Sequence, residues 1–168
     1  MLNLLQWLEG TGIATFVRES PSLLGYTAVL SLHAMGLAIV VGVNTSISLR
    51  LLGVAKSIPV APLLTLFPVM YVGFTINAIS GSMLFMASAT TMGQSYMFIS
   101  KMVFVVLGFI SIELLRAKVF SDQPLLEKGS LPPKAKLFAT FSIVCWSAAM
   151  VSGRLTAYPN FVKTLLGF

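Results

Sequence analysis

Residues 23–51 read LLGYTAVLSLHAMGLAIVVGVNTSISLRL, an apolar run that contains His33, the only histidine of the chain. A transmembrane helix needs roughly 20 predominantly apolar residues, so this stretch predicts one. His33 would then lie at membrane depth, where an ionisable side chain is costly and commonly faces a bundle interior or a cofactor. His33 is therefore the first candidate functional residue.

The composition of the whole chain agrees with a membrane protein. The 168 residues are 57% hydrophobic and 10% charged, with a mean hydropathy of +0.92, whereas soluble domains carry about 25% charged residues. The net charge of +6 does not indicate nucleic-acid binding, because the basic residues stand at the ends of apolar segments and form no stripe with exposed aromatics. We expect a single multi-pass membrane domain, residues 1–168, in the lipid bilayer of a bacterial inner membrane.

Three more spans are predicted, at about residues 62–89, 98–115 and 137–158, and the polar stretch 116–136 is predicted to be a cytoplasmic loop. Short connections favour antiparallel neighbours. The predicted fold is all-α: an integral membrane up-and-down four-helix bundle. Residues 1–20 are apolar but interrupted by charges and glycines, which predicts an amphipathic interfacial helix anchored by Trp7.

Two local patterns refine these elements. Ser20 and Pro21 resemble the cap and first position of the first span. In the second span, small and polar residues recur every three or four positions, which predicts a face on which another helix packs closely: Gly73, Asn77, Ser80, Gly81 and Leu84. Pro68 should either kink that helix or mark the start of its regular part.

Lysine and arginine predict the orientation. The first linker holds two basic residues, the 116–136 loop holds five, and residues 90–97 hold none. The basic residues are Arg50 and Lys56 in the first linker and Arg116, Lys118, Lys128, Lys134 and Lys136 in the loop. The positive-inside rule places both basic segments in the cytoplasm and both termini in the periplasm. Glu113 is then expected to meet the cytoplasmic interface beside Arg116.

This topology predicts an outer-leaflet site built on His33. The histidine lies about ten residues into the first span, roughly 15 Å along the helix, and Lys101 and Arg154 stand near the outer ends of their spans. In a haem b site, His33 would ligate the iron and the two cations would pair with the propionates. Gly36 would let a flat macrocycle lie against the helix, and Met83, Met86 or no protein atom would take the other axial position.

Two alternatives stay open. The methionines near the outer turn, with His33, could handle Cu(I), which prefers soft ligands, although methionine is also an ordinary core filler. Alternatively, His33 is an interhelical hydrogen-bond partner and the cations snorkel to headgroups, which would suit a structural subunit of a larger complex.

A set of ordered motifs carries a resemblance across nearly the whole chain. QWLEGTGIATFVRES, LHAMGLAIVVG, SLRLLG, SGSMLFMASAT, FISKM and CWSAAMVSGRLTAY resemble a family of uncharacterised bacterial four-helix inner-membrane proteins. That resemblance implies the fold and assigns no function.

A more distant similarity is to the CopD-type copper-resistance proteins and the HemJ-type protoporphyrinogen oxidases. It is carried by His33, Gly42 and Arg50 in the first helix, and by Lys101 at the start of the third for the HemJ type. The HemJ resemblance implies haem b held by His33. The chain departs from that pattern because Ile99 and Ser100 precede Lys101 in place of a tryptophan, and because there is no second histidine. A bis-histidine haem within one subunit is excluded.

The sequence thus predicts a haem b-binding membrane subunit that transfers electrons at the periplasmic side, between a quinone or a periplasmic redox partner and an associated complex or second copy. A role as a redox or structural subunit is favoured over a stand-alone enzyme.

Overall fold

The computed structural model of the protein describes residues 2–121, 131 and 134–158. These residues form seven α-helices and one 3₁₀ helix. The α-helices are α1 (Leu2–Glu9), α2 (Gly12–Glu19), α3 (Tyr26–Leu52), α4 (Leu66–Ala87), α5 (Ala89–Gly93), α6 (Tyr96–Val119) and α7 (Ala135–Leu155), and the 3₁₀ helix, Ala61–Thr65, leads into α4.

Four helical segments are long and apolar enough to cross a membrane. They are α3 with 27 residues, the continuous segment Ala61–Ala87 with 27, α6 with 24 and α7 with 21. Large apolar side chains on their outer faces are exposed, among them Met35, Val72 and Val106, as expected where lipid tails replace water. The predicted all-α membrane bundle is confirmed.

Successive spans run antiparallel, which makes the bundle up-and-down. On α3 and α4, His33 lies beside Asn77 while Gly36, further along α3, lies beside the earlier residue Gly73. The closest helix pairs are α3 with α4 and α6 with α7, and α3 also packs on α7. The backbones of α4 and α6 come close at few points. These two helices meet through aromatic pairs, Phe74–Phe109 and Phe85–Phe98, with centroid distances of 4.8 and 5.1 Å.

The small-residue face of the second span packs as predicted. A side chain on Gly73 would meet Ile39 of α3, and one on Gly81 would meet the His33 ring. Ser80 and Leu84, on the same face, are buried. Because Gly73 and Gly81 have no side chains, the backbone of α4 can approach α3 closely.

A buried polar contact ties the two helix pairs together at the bundle centre. The Ser142 hydroxyl of α7 donates to the Asn44 side-chain oxygen of α3 at 2.7 Å. Ser111 Oγ of α6 lies 2.8 Å from Ser142 Oγ. All three residues are at most 1% exposed, so these hydrogen bonds replace water that the bundle excludes.

The N-terminal segment differs from the prediction. It forms two helices, α1 and α2, because the chain turns at Gly10 and Thr11, where the Thr11 hydroxyl caps α2 by accepting from the Ala14 N–H. Ala14 and Val17 of α2 are fully buried against the bundle, in keeping with the contacts between α2 and α4. Trp7 is 65% exposed, a position compatible with the predicted interfacial anchor.

The predicted start of the first span is also wrong. Ser20 ends α2, since its N–H donates to the Phe16 carbonyl at 3.2 Å, and α3 begins at Tyr26 after Gly25. The prediction took a polar residue before proline as a helix start, whereas here the same pair forms the link between two helices.

The boundaries of α4 and α6 are explained by the residues at their ends. Regular α4 begins at Leu66, so Pro68 lies in its first turn, where the missing N–H costs no hydrogen bond. This agrees with the second of the two alternatives for Pro68. The third span is longer than the predicted 98–115, because the Ser95 hydroxyl caps its start and basic residues in its last turn suit the helix C-terminus.

The two ends of the bundle differ in charge. One end, here called the basic end, carries Arg50, Lys56, Arg116, Lys118, Lys134 and Lys136. At the other end, called the turn end, residues 88–95 join α4 to α6. Most of the predicted loop 116–136 and the chain after Tyr158 lie outside the described residues.

Candidate functional site

A cavity of about 400 Å³ lies between α3, α4 and α6, towards the turn end. It is bounded mainly by apolar side chains, including Phe74, Phe85, Phe98, Met102 and Val105, and it contains His33 and Lys101. This volume falls within the range of about 300–1,000 Å³ typical of small-molecule sites. We call it the His33 cavity.

The His33 ring is oriented by α4. Its Nδ1 lies 3.0 Å from the backbone carbonyl oxygen of Asn77. A carbonyl oxygen only accepts hydrogen bonds. The Asn77 side-chain nitrogen also lies 3.3 Å from Nδ1, but it has a closer acceptor in the His33 carbonyl, so we assign the proton of the neutral ring to Nδ1. In the other direction, the Asn77 side-chain amide donates to the His33 carbonyl at 2.8 Å.

No described residue makes a hydrogen bond with Nε2, the second ring nitrogen. The Ser80 hydroxyl is 3.4 Å from Nδ1, but its own hydrogen has a closer acceptor in the Ile76 carbonyl, at 2.6 Å. A histidine whose Nδ1–H is held by a backbone carbonyl presents a basic Nε2, the usual arrangement at metal sites.

Lys101 supplies a positive charge in the same cavity. Its side chain crosses from α6 to α7, where a side chain on Gly153 would meet Lys101 Cδ at 3.3 Å. Within the part of the chain that the structure describes, the ammonium group has no ion-pair partner. No carboxylate lies among the described residues that line the cavity, so the site favours an anionic or electron-rich ligand group.

Arg154 is not part of the cavity wall. It is exposed on α7, and its Nη2 donates to the Tyr158 hydroxyl at 2.9 Å. Its guanidinium carbon also lies 5.2 Å from the centre of the Tyr158 ring. Lys101 and His33 therefore line the same cavity, whereas Arg154 lies outside that lining.

The remaining predicted site residues also lie outside the cavity lining. Met83 packs against a buried cluster formed by Val17, Val29, Leu84 and Ala87, and Met86 is partly buried on the same helix. Gly36 faces α4: a side chain there would come within 2.7 Å of the Asn77 backbone nitrogen. Its surface is covered by a helix, so it is not open to a macrocycle.

The sequence showed some of the site's other residues only indirectly. Asn77 was assigned to helix packing, yet it also orients His33. Phe74, Phe85 and Phe98, the aromatic residues that α4 and α6 contribute to the cavity, were not predicted. In an apolar span, the sequence does not show which face such residues occupy. An asparagine inside a hydrophobic segment was the available signal for Asn77, since polar residues there usually have a partner.

No family model, curated protein or solved structure matches the chain.

Proposed function

We propose that the chain binds haem b in the His33 cavity and serves as an electron-transfer subunit of the membrane. The proposal depends on the surroundings of His33. Its Nδ1 is hydrogen-bonded to the Asn77 carbonyl, and the ring lines a cavity of about 400 Å³ together with Lys101. Haem iron is commonly held by one histidine nitrogen of this kind.

The donor set fits a haem with one protein ligand. His33 would bind the iron through Nε2, and the Asn77 carbonyl would keep the ring in the required tautomer. The Lys101 ammonium would pair with a propionate, since no carboxylate among the described lining residues competes for it. Phe74, Phe85 and Phe98, which line the cavity, would supply apolar contacts and exclude water.

The methionines that the sequence suggested would not be among the residues that hold the haem. Met83 and Met86 lie outside the cavity lining, and Met83 packs in the cluster at α2. Arg154, bonded to Tyr158, would leave Lys101 as the cation for the propionates. A second copy of the chain or a partner subunit would then complete the site.

When bound, haem b supplies a one-electron carrier. The chain's own contribution would be to set its position and its potential, through the Asn77 hydrogen bond to the His33 ring and the positive charge of Lys101. With the basic end in the cytoplasm, as the positive-inside rule predicts, the cavity would lie in the periplasmic half of the inner membrane. A quinone or a periplasmic redox protein is then the expected electron partner.

Copper handling is supported less. Cu(I) prefers sulfur ligands. Among the described residues, Met102 is the one methionine that lines the cavity with His33, whereas Met83 and Met86 lie outside that lining. The described residues also contain no cluster of three or more His, Cys, Asp or Glu side chains suited to a metal ion.

The test is the visible spectrum of the full chain, purified in detergent from cells supplied with haem. We expect a Soret band, and α and β bands after reduction with dithionite. His33→Gly should lose the bands, and added imidazole should restore them by occupying the space of the missing ring. Lys101→Gln should retain the spectrum and bind haem more weakly, because a propionate loses its charge partner.

Ser31→Ala is the matched control, because Ser31 is on α3 and its hydroxyl, among the described residues, bonds only to the Thr27 carbonyl of the same helix. Its spectrum should equal that of the wild type. A folded wild-type protein without a Soret band after haem addition would overturn the proposal. Metal analysis of that preparation would then separate copper binding from a purely structural role.

A further inference from the structure

A second cavity, of about 460 Å³, lies at the basic end of the bundle. It is lined by Leu64, Glu113, Arg116, Ala117, Phe120 and Ser121. Glu113 and Lys101 are both on α6 and twelve residues apart, so this site is about 18 Å along the helix from the His33 cavity. It is therefore independent of the haem proposal. We call it the Glu113–Arg116 cavity.

Tyr71 of α4 stands between the acid and the base of this cavity. Its hydroxyl donates to Glu113 Oε1 at 2.6 Å and accepts from Arg116 Nη1 at 3.2 Å. The Arg116 guanidinium carbon lies 5.7 Å from the centre of the Tyr71 ring. Both charged side chains are thus held by one phenol.

The two opposite charges do not neutralise each other directly. Among the described residues, the only ion pair with N and O within 4.0 Å is Arg18–Glu19. Glu113 uses one carboxylate oxygen for Tyr71, and Arg116 uses one terminal nitrogen. Within the described part of the chain, the second Glu113 oxygen and the other Arg116 N–H groups have no hydrogen-bond partner.

A fixed anion and a fixed cation in one cavity complement a ligand that carries both charges. The apolar walls, Leu64 and Phe120, suit acyl chains, and basic residues mark this end of the bundle as the level of lipid headgroups. We propose that the Glu113–Arg116 cavity binds the headgroup of a phosphatidylethanolamine molecule of the adjacent leaflet. Its phosphate would pair with Arg116, and its primary ammonium would donate to Glu113.

The chemistry selects this headgroup over phosphatidylcholine and phosphatidylglycerol. A primary ammonium has three N–H donors for a carboxylate, and the quaternary ammonium of phosphatidylcholine has none. Phosphatidylglycerol offers a phosphate to Arg116 but no cation to Glu113, whose charge would repel it. Glu113 is thus the residue that determines specificity, and Arg116 contributes affinity for any phospholipid.

The experiment is native mass spectrometry of the full chain, delipidated in detergent and titrated with phosphatidylethanolamine, phosphatidylcholine and phosphatidylglycerol of identical acyl chains. The wild type should bind phosphatidylethanolamine about ten-fold more tightly than phosphatidylcholine, the ratio that one hydrogen bond to a charged group provides. Glu113→Gln should abolish that preference. Arg116→Gln should weaken the binding of all three lipids.

Lys118→Gln is the control for loss of a charge. Lys118 is exposed on the same turn of α6 and does not line the cavity, so this variant should keep the wild-type preference. Circular dichroism checks that each variant is helical. If Glu113→Gln fails to fold, Tyr71→Phe provides the second test, because Glu113 and Arg116 can then pair directly and phosphatidylethanolamine binding should fall.

Equal binding of phosphatidylethanolamine and phosphatidylcholine by the wild type would overturn the proposal. Tighter binding of phosphatidylglycerol would also overturn it, since the site would then recognise negative charge alone. A preference that survives in Glu113→Gln would exclude the assigned role of that carboxylate.

Discussion

Asn77 illustrates what a single residue reveals in sequence and in structure. Its spacing with Gly73 and Gly81 correctly predicted a packing face, because small and polar residues recur at helical intervals. Its hydrogen bonds with His33 could not be predicted, since they depend on the register between α3 and α4. The candidate histidine was therefore identified from sequence, and the group that orients it was not.

Gly36 provides a test of helix contact at the residue scale. A side chain at this position would lie 2.7 Å from the Asn77 nitrogen and 2.8 Å from the Gly73 oxygen, both backbone atoms. Backbone cannot rotate away, so we expect Gly36→Ala to lower the free energy of unfolding by about 1–3 kcal/mol. Unfolding of the purified protein in detergent, followed by circular dichroism, measures the change.

Gly42 is the matched control on the same helix. A side chain there would meet nothing within 4 Å, and alanine is the better helix former by up to about 1 kcal/mol. Gly42→Ala should therefore leave stability unchanged or raise it. Equal losses in the two variants would show that the α3–α4 contact is looser than described.

At the scale of elements, hydropathy predicted the spans well and their ends poorly. Long apolar runs identify a span because the bilayer requires about 20 such residues. Helix ends depend on single caps: Ser95 begins α6, and Gly53, with a φ of 104°, ends α3. Ser20 is a residue type that commonly caps the start of a helix, but here it ends α2.

The N-terminal helices are attached to the turn end by hydrogen bonds that the sequence did not reveal. The Glu9 carboxylate of α1 accepts from the Thr90 backbone N–H at 2.8 Å and from the Thr90 hydroxyl at 2.7 Å. Arg18 of α2 donates to the carbonyls of Glu9 and Ala87, each at 3.5 Å. Glu9 and Thr90 are 81 residues apart, so only the folded chain brings them together.

This attachment should depend on pH. The hydrogen bonds from Thr90 favour the ionised carboxylate, so they hold the pKa of Glu9 below its ordinary value of 4.5. A lowered pKa means that the stabilisation is complete above pH 4.5 and is lost as the pH falls through the lowered value. We expect α1 to detach in that acidic range. The chain has two tryptophans, so a Trp146→Phe background leaves Trp7 alone to fluoresce. Its fluorescence then reports the detachment of α1.

Glu9→Gln should abolish the acidic transition, since an amide does not titrate there. Glu19→Gln, which removes the exposed partner of Arg18 at 3.1 Å, should keep it. A Trp7 signal that is independent of pH in the wild type would contradict the assigned role of Glu9.

For the whole molecule, the sequence predicted four antiparallel spans but not which helices are neighbours. The structure pairs α3 with α4 and α6 with α7, and it joins the pairs through α3 and α7. The contact between α3 and α7 includes the hydrogen bond between Asn44 and Ser142, which are 2.7 Å apart and separated by 98 residues in the sequence. The separation of α4 from α6 creates the His33 cavity, and no periodicity within one helix predicts such a separation.

Orientation in the membrane is a prediction for the whole molecule. The positive-inside rule places the basic end in the cytoplasm and the turn end in the periplasm. In a Cys145→Ala background, we expect a membrane-impermeant thiol reagent to label Gln94→Cys in intact cells, and Lys118→Cys only after permeabilisation. Both positions are partly or fully exposed. The reverse labelling pattern would show that the bundle is inverted and would place the His33 cavity in the cytoplasmic half.

The two-pair arrangement has a consequence for biogenesis. Each helical hairpin, α3–α4 and α6–α7, satisfies most of its close contacts with its own partner, so each can enter the bilayer as a finished unit during synthesis. The final step is then lateral docking of two preformed hairpins, aligned by the buried Asn44–Ser142 hydrogen bond. Because α6 supplies one wall of the His33 cavity, assembly itself would determine when the site becomes able to receive a ligand.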